Sequence, residues 1–155
     1  MVGYGPIGQT VARLLRDGRI EPIIIETNLE TTRRVRSEGH QIVYGDATRP
    51  AVLEAAGIHN AVALVISGPT SEQSAEIIRI ARSVNPKVRV LARSYYLGET
   101  AIMREAGADE VFSGEGEVAF AMTENILRML GATPEQMDRA RERVHEEVFQ
   151  MSGKN

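Results

Sequence analysis

The chain has 155 residues, 43% of them hydrophobic and 25% charged, with a formal net charge of -3 and no cysteine. That length suits one domain with a sizeable core, while the missing cysteines exclude disulfides, thiolate metal sites and a cysteine nucleophile. The mild acidity gives no electrostatic reason to expect nucleic acid, no apolar run approaches the roughly twenty residues of a membrane span, and the start lacks a signal peptide's basic and apolar regions.

The first element is Gly3-Tyr4-Gly5-Pro6-Ile7-Gly8, a GxGxxG turn preceded only by Met1 and Val2. A buried central strand is expected before such a turn, and its loss leaves two central edges unpaired. We therefore expect the numbering to begin inside a longer polypeptide. Ile7, Val11, Leu14 and Leu15 follow at helical spacing, with Gly18 as the stop. A strand is expected from Ile20 to Glu26, with Pro22 near its beginning. Thr27 and Glu30 have capping-box spacing for a helix running to about Glu38 and ending at Gly39. Gln41 to Tyr44 is the next strand, and Gly45-Asp46-Ala47-Thr48 turns the chain into a short helix from Pro50 to Gly57.

Ala61 to Ile66 reads as a buried strand, Ser71 to Val84 as a longer helix closed by Asn85-Pro86, and Val88 to Ala92 as strand. Gly98 to Glu105 is helical, Gly107 stops it, and Glu110 to Phe112 is the last strand. Val118, Met122, Ile126 and Met129 mark an amphipathic helix ended by Gly131. Thr133, Pro134 and Gln136 start another, whose apolar stripe is Met137, Ala140, Val144, Val148 and Met151. That stripe is either an interface or packing on the domain itself. The alternation predicts an α/β fold: a Rossmann-type doubly wound parallel sheet, its first strand largely missing, with a carboxyl-terminal helical extension. The expected division is 1–115 for the nucleotide-binding unit and 116–155 for the extension.

Ligands in such a sheet sit beyond the carboxyl ends of the strands. The candidates there are the turn Gly3, Tyr4, Gly5, Pro6, Ile7 and Gly8, then Glu26 with Thr27 and Asn28, Asp46 with Ala47 and Thr48, Ser67 with Gly68, and Arg93. One glycine serves the tight turn, one the approach of phosphate to backbone, and one the packing of the helix. Glu26 suits ribose 2'- and 3'-hydroxyls and repels a 2'-phosphate, which points to NAD, NADH, AMP, ADP or ATP over NADP. Asp46 either meets an adenine amino group or, with Thr48, caps the Pro50 helix. Ser67-Gly68 is a site of backbone approach to the ligand or a plain turn. Arg93 either meets phosphate or carboxylate in the crevice or pairs with Asp109 or Glu110. His40, His59 and His145 share no metal-ligand spacing and no paired acid, and Ser67 has no evident base.

Several stretches together resemble the TrkA-N or RCK family, the nucleotide-binding regulatory domains of potassium channels and transporters. They are GYGPIGQTVARLL, IIIETN, YGDATRPAVLEAAGIHNAVALVIS, NPKVRVLAR and REAGADEVF. The likeness runs from Gly3 to about Ala121. With its helical extension the chain looks most like the carboxyl-terminal domains of Kef-type cation:proton antiporters. The resemblance implies phosphate contacts at Gly3, Gly5 and Gly8, ribose at Glu26, adenine at Asp46 with Ala47, and phosphate or an anionic effector at Arg93. It also implies a homodimer, a membrane-embedded cation transporter upstream in the same polypeptide, and a place at the cytoplasmic face of the inner (plasma) membrane. The expected role is regulatory and not enzymatic. Two other readings are an NAD-dependent oxidoreductase whose substrate half lies elsewhere, and a separate cytosolic subunit of a Trk-type potassium transporter.

Overall fold

Parallel pairing joins β1 (Ile24–Glu26) to β2 (Ile42–Tyr44), with Ile25 opposite Val43. It also joins β3 (Ala63–Ile66) to β4 (Arg89–Ser94) and β4 to β5 (Glu110–Ser113). The structure is a computed structural model that describes the backbone of residues 1–151 and the side chains of residues 1–143.

Between the two half-sheets lies the amino-terminal segment. Val2 bridges in parallel to both Ile25 and Ile66. Its N–H donates to Val65 O at 2.8 Å and its carbonyl accepts from Ser67 N at 3.0 Å; on the other side Ile25 N reaches Met1 O at 2.8 Å and Gly3 N reaches Ile25 O at 3.0 Å. The expectation of two unpaired central edges is therefore corrected. Residues 1–3 hold the central place in the order β2, β1, residues 1–3, β3, β4, β5, the doubly wound arrangement.

Neighbouring strand residues face opposite sides, and Ile24 and Ile25 accordingly belong to two separate cores. Ile24 packs with Tyr4, Ala12, Val35 and Ile42 beneath α1 (Pro6–Asp17) and α2 (Leu29–Ser37). Ile25 joins a larger cluster with Leu53, Ile66, Ile78 and Met103, covered by α3 (Pro50–Ala55), α4 (Ser71–Val84) and α5 (Thr100–Glu105).

The structure departs from the sequence reading in further places. On α1 the buried positions are Gly8 and Ala12, whereas Ile7 and Leu14 are 42% and 57% exposed. Small residues one turn apart let the helix lie close on the sheet, which turns the larger residues outward. The first strand starts at Ile24 rather than Ile20, because Arg19 adopts a φ of 63° and Ile20 N is held by Leu15 O in a turn. The cap of α2 is Asn28, whose Oδ1 accepts from Thr31 N at 2.8 Å; the N–H and hydroxyl of Thr27 turn to Glu26 instead. Finally, α6 (Gly114–Met129) does not bury its apolar stripe: Val118, Met122, Ile126 and Met129 are all exposed.

α4 is closed by a capping box of Thr70 and Gln73. Near its other end Arg82 donates to Gly107 O, Val88 O and Asp109 Oδ2 (2.7 Å), tying α4 to the entries of β4 and β5. Thr133 N donates to Gln136 Oε1 at 2.8 Å at the start of α7 (Pro134–Met151), as the spacing predicts. Met137 and Ala140 on α7 are half-buried, while the side chains of Val144, Val148 and Met151 lie outside the described residues.

Candidate functional site

The carboxyl ends of β1 to β4 open on one cavity of about 660 Å³. Its wall includes Gly3, Tyr4, Gly5, Pro6, Ile7, Glu26, Thr27, Asp46, Ala47, Thr48, Ser67, Gly68 and Arg93. Of the site residues expected from sequence Gly8 and Asn28 stand outside the wall, Asn28 capping α2 instead, and the role of Gly8 is legible in the packing. A Cβ on Gly8 would lie 2.3 Å from Gly3 O, so only glycine lets α1 reach the turn. Gly3 itself has a φ of 90°, and a Cβ there would meet Gly68 at 2.9 Å. Around Gly5 the space is open, with no atom within 4 Å of an added Cβ. Gly3 and Gly8 are thus required by close packing, while Gly5 borders open space.

Gly5 is also the N-cap residue of α1. It brings no side-chain cap, and the first turn of α1 holds no acid. The first N–H groups of a helix lack intrahelical partners and carry the positive end of its dipole. Here they border an open cavity, an arrangement suited to an anion.

Glu26 stands beside that turn. Its Oε2 accepts from Tyr4 N at 2.9 Å, and Oε1 accepts from Thr27 N at 2.8 Å and Asn28 N at 2.9 Å. The Thr27 hydroxyl also reaches Oε1, at 3.4 Å, whereas Oε2 carries only the Tyr4 bond and so keeps acceptor capacity. Tyr4 is further fixed by its buried ring and by a long contact of 3.5 Å from Arg16 Nη1 to its hydroxyl.

Asp46 does not cap α3, and neither does Thr48; the N-cap residue is Arg49, without a side-chain bond. Instead Asp46 Oδ1 accepts from Thr48 N at 2.9 Å and Thr48 Oγ1 at 2.8 Å. These bonds, led by the backbone one, hold its carboxyl below the usual range, so it is ionised at neutral pH. Ser67 turns its hydroxyl onto Val2 O and Gly3 O at 3.2 and 3.3 Å, and the adjoining Gly68 makes room for Gly3. This pair supports the glycine turn from within the cavity wall.

The ion pair considered for Arg93 is not formed with either acid. Asp109 pairs with Arg82 and Glu110 with Arg89, each at 2.7 Å. Arg93 lies over the ring of Tyr95 instead, 4.1 Å from its centroid, in the cavity wall. Gly45, Pro69, Gln73, Ile77 and Tyr95 also line the cavity and were not singled out from sequence. Gln73 had a signal, the Thr70-x-x-Gln73 capping spacing. Among the described residues no group of three His, Asp or Glu is placed to hold a metal ion, and no helix is long and apolar enough to cross a membrane.

The TrkA-N domain family matches residues 1–114. YbaL of Escherichia coli (strain K12), whose name assigns it provisionally to the cation/proton antiporters, is 32% identical over 124 residues. That match covers 80% of this chain and 22% of YbaL, so the chain spans about a fifth of its relative's length. The crystal structure of the TrkA-N domain of the inner membrane protein YbaL superposes with a TM-score of 0.77, covering 79% of this chain and 91% of that domain. Two more distant structures share the fold. The Kef carboxyl-terminal domain of Shewanella denitrificans, in its AMP-bound form, has 24% identity and a TM-score of 0.74, over 98% of this chain and 93% of its own. The GsuK channel bound to NAD has 21% identity and a TM-score of 0.68, over 77% of this chain and 21% of its own; its ADP-bound form also matches.

Proposed function

The chain belongs to the TrkA-N domain family, and on that premise we propose that it is a regulatory module that binds an adenine nucleotide and controls a monovalent-cation transporter. The observation that carries the proposal is the uncapped amino end of α1 bordering the cavity, with the Glu26 carboxylate fixed beside it. Phosphate lies on the N–H groups of the α1 turn, the ribose hydroxyls meet Glu26, and adenine extends toward Asp46 and Ala47. Arg93 faces the anionic end of the ligand. Glu26 disfavours a 2'-phosphate by charge, so the ligands are AMP, ADP, ATP, NAD or NADH. AMP in the Kef domain and NAD and ADP in GsuK are of that class.

The transporter is a Kef-type cation:proton antiporter in the same polypeptide, and the module lies at the cytoplasmic face of the inner membrane. Residues 1–115 bind the nucleotide, and 116–155 form a helical extension. Two copies pair through exposed apolar surface such as that of α6, and the ligand selects one arrangement of the pair. It does so only by binding that arrangement better, a coupling of about 1 to 3 kcal/mol in typical cases. Its role is regulatory, in keeping with relatives named as an antiporter, a Kef domain and a channel.

Titration calorimetry of the purified chain with AMP, ADP, NAD, NADH and NADP tests this reading. Binding of the first four with NADP at least tenfold weaker is expected. A folded chain that binds none of them sinks the proposal.

A further inference from the structure

Two successive peptide planes shape the glycine turn, and a side chain holds each of them. The plane between Gly3 and Tyr4 is tied through Tyr4 N, which donates to Glu26 Oε2 at 2.9 Å. The plane between Tyr4 and Gly5 is tied through Tyr4 O, which accepts from Gln9 Nε2 at 3.0 Å. Helical side chains lean toward the amino end of their helix, so Gln9 on α1 reaches back past the N-cap residue Gly5 to Tyr4. A carbonyl can only accept, which is why the NH2 of the carboxamide meets it.

That bond decides where the next donor points. In a trans peptide the C=O and N–H lie on opposite sides of the plane's axis, so with Tyr4 O turned to Gln9 the N–H of Gly5 is turned the other way. Gly5 stands in the cavity wall, and among the described residues its N–H has no hydrogen-bond partner. Sterically the plane is free to turn over. Gly5 has a φ of -69° and a ψ of -172°, with no atom within 4 Å of an added Cβ. Turning the plane would carry that φ to a positive value, which glycine adopts about as readily as a negative one. The inverted plane would present a carbonyl oxygen where the N–H had been, and its partial negative charge repels phosphate.

We propose that Gln9 is a positioning residue for the nucleotide phosphate, a latch whose carboxamide holds the Tyr4 carbonyl away from the ligand and so keeps Gly5 N–H turned toward it. This inference rests on the nucleotide reading above, and it concerns a side chain that stands outside the cavity wall and acts through the backbone of Tyr4.

Calorimetry with AMP and adenosine tests it on the parent chain, Gln9→Met and Gln9→Ala, with circular dichroism to establish that each is folded. Methionine keeps the length of the side chain without its donor, and alanine removes the arm. Gln9 is exposed, so both variants should fold with near-parental stability. Each is expected to bind AMP about tenfold more weakly, the scale of one charge-assisted hydrogen bond, and to bind adenosine as the parent does. In NMR spectra the Gly5 amide proton should move downfield when AMP is added to the parent, and should not do so in either variant. Unchanged AMP affinity, equal losses for AMP and adenosine, or a Gly5 amide that answers AMP alike in parent and variants overturns the proposal. Should Gln9→Met misfold, Gln9→Ala decides; a Gly5 amide of the parent left unmoved by bound AMP overturns it without any variant. Failure of the folded parent to bind AMP, ADP or NAD would instead remove the nucleotide reading itself.

Discussion

The backbone N–H of Tyr4 donates to Glu26 Oε2 at 2.9 Å, joining the glycine turn to the end of β1. The acid read from sequence as the partner of ribose is thus also part of the scaffold that shapes the phosphate turn. Glu26→Gln separates the two roles. A glutamine has one acceptor oxygen, while amides approach both oxygens of Glu26, so one N–H would face a donor. We expect a stability loss of about 1 to 2 kcal/mol, weaker NAD binding, and a smaller preference for NAD over NADP. Calorimetry and urea unfolding measure the two effects, and an unchanged NAD to NADP ratio would remove the ribose role.

The three glycines make distinct predictions. Gly5→Val enters open space, so the chain should fold with near-parental stability and lose nucleotide binding, because the side chain occupies the place where phosphate approaches. Gly8→Ala puts a methyl group 2.3 Å from Gly3 O and should cost about 1 to 3 kcal/mol or more through displaced backbone. Thermal unfolding that ranks Gly5→Val as the less stable variant would contradict this division.

Acid should loosen the far side of the sheet through Asp109. Its Oδ2 accepts from Val90 N at 2.6 Å and Arg82 Nη2 at 2.7 Å, and these bonds, the backbone one foremost, hold its carboxyl below its ordinary 3.8. A depressed folded-state pKa gives stability that is fully present above the unfolded value and lost as pH falls through the folded one. The window therefore lies below about pH 4. Asp46, lowered by Thr48, adds in the same direction. Asp109→Asn should lower stability at pH 7 by about 1 kcal/mol, the partial exposure of the pair being discounted. It should also flatten the acid limb of stability against pH, read by urea unfolding between pH 3 and 7. A limb as steep as the parent's would assign the acid sensitivity to other carboxylates.

What the sequence disclosed followed from local chemistry. Gly3, Gly5, Gly8 and Glu26 are specified by a turn, a strand and a short spacing, and Pro50 and Gly39 mark helix ends by backbone preference alone. What it withheld depended on competition across the fold. Whether Arg93 can meet Asp109 depends on the β4–β5 register, which sets Arg93 opposite Phe112 and leaves Asp109 at the entry of β5 with Arg82. Asn28 displaced Thr27 as cap because Glu26 captures the amide and hydroxyl of Thr27. Ile7 and Leu14 obey helical period, yet the face against the sheet is chosen by the close approach that Gly8 and Ala12 permit. Periodicity on α6 disclosed an apolar stripe but not that the stripe points outward.

The loop after β4 joins the cavity wall to α6. Leu97 N donates to Glu115 Oε2 in the first turn of α6, while Tyr95 in the same loop lines the cavity. Glu115→Ala should leave ADP affinity within about threefold and reduce the response of cation flux to nucleotide in the full-length protein. Flux that stays fully responsive would exclude this loop as the connection.

The exposed face of α6 makes the last prediction. Val118, Met122, Ile126 and Met129 stand on one side of a helix, all more than half exposed, and apolar patches of this kind mark interaction surfaces. If two copies of the chain pair there, Met122→Glu places a charge in the interface and should convert dimer to monomer in sedimentation. Because Met122 is 63% exposed in the single chain, its replacement should leave the fold and the nucleotide affinity nearly intact. A variant that remains dimeric moves the interface to α7 or to the helix carrying Ile102. In the full-length protein the same substitution should uncouple nucleotide from cation flux, since a ligand has no inter-domain arrangement to select once the domains are separate. Flux that still follows nucleotide in a protein with monomeric domains would place the control within one copy and overturn the paired mechanism.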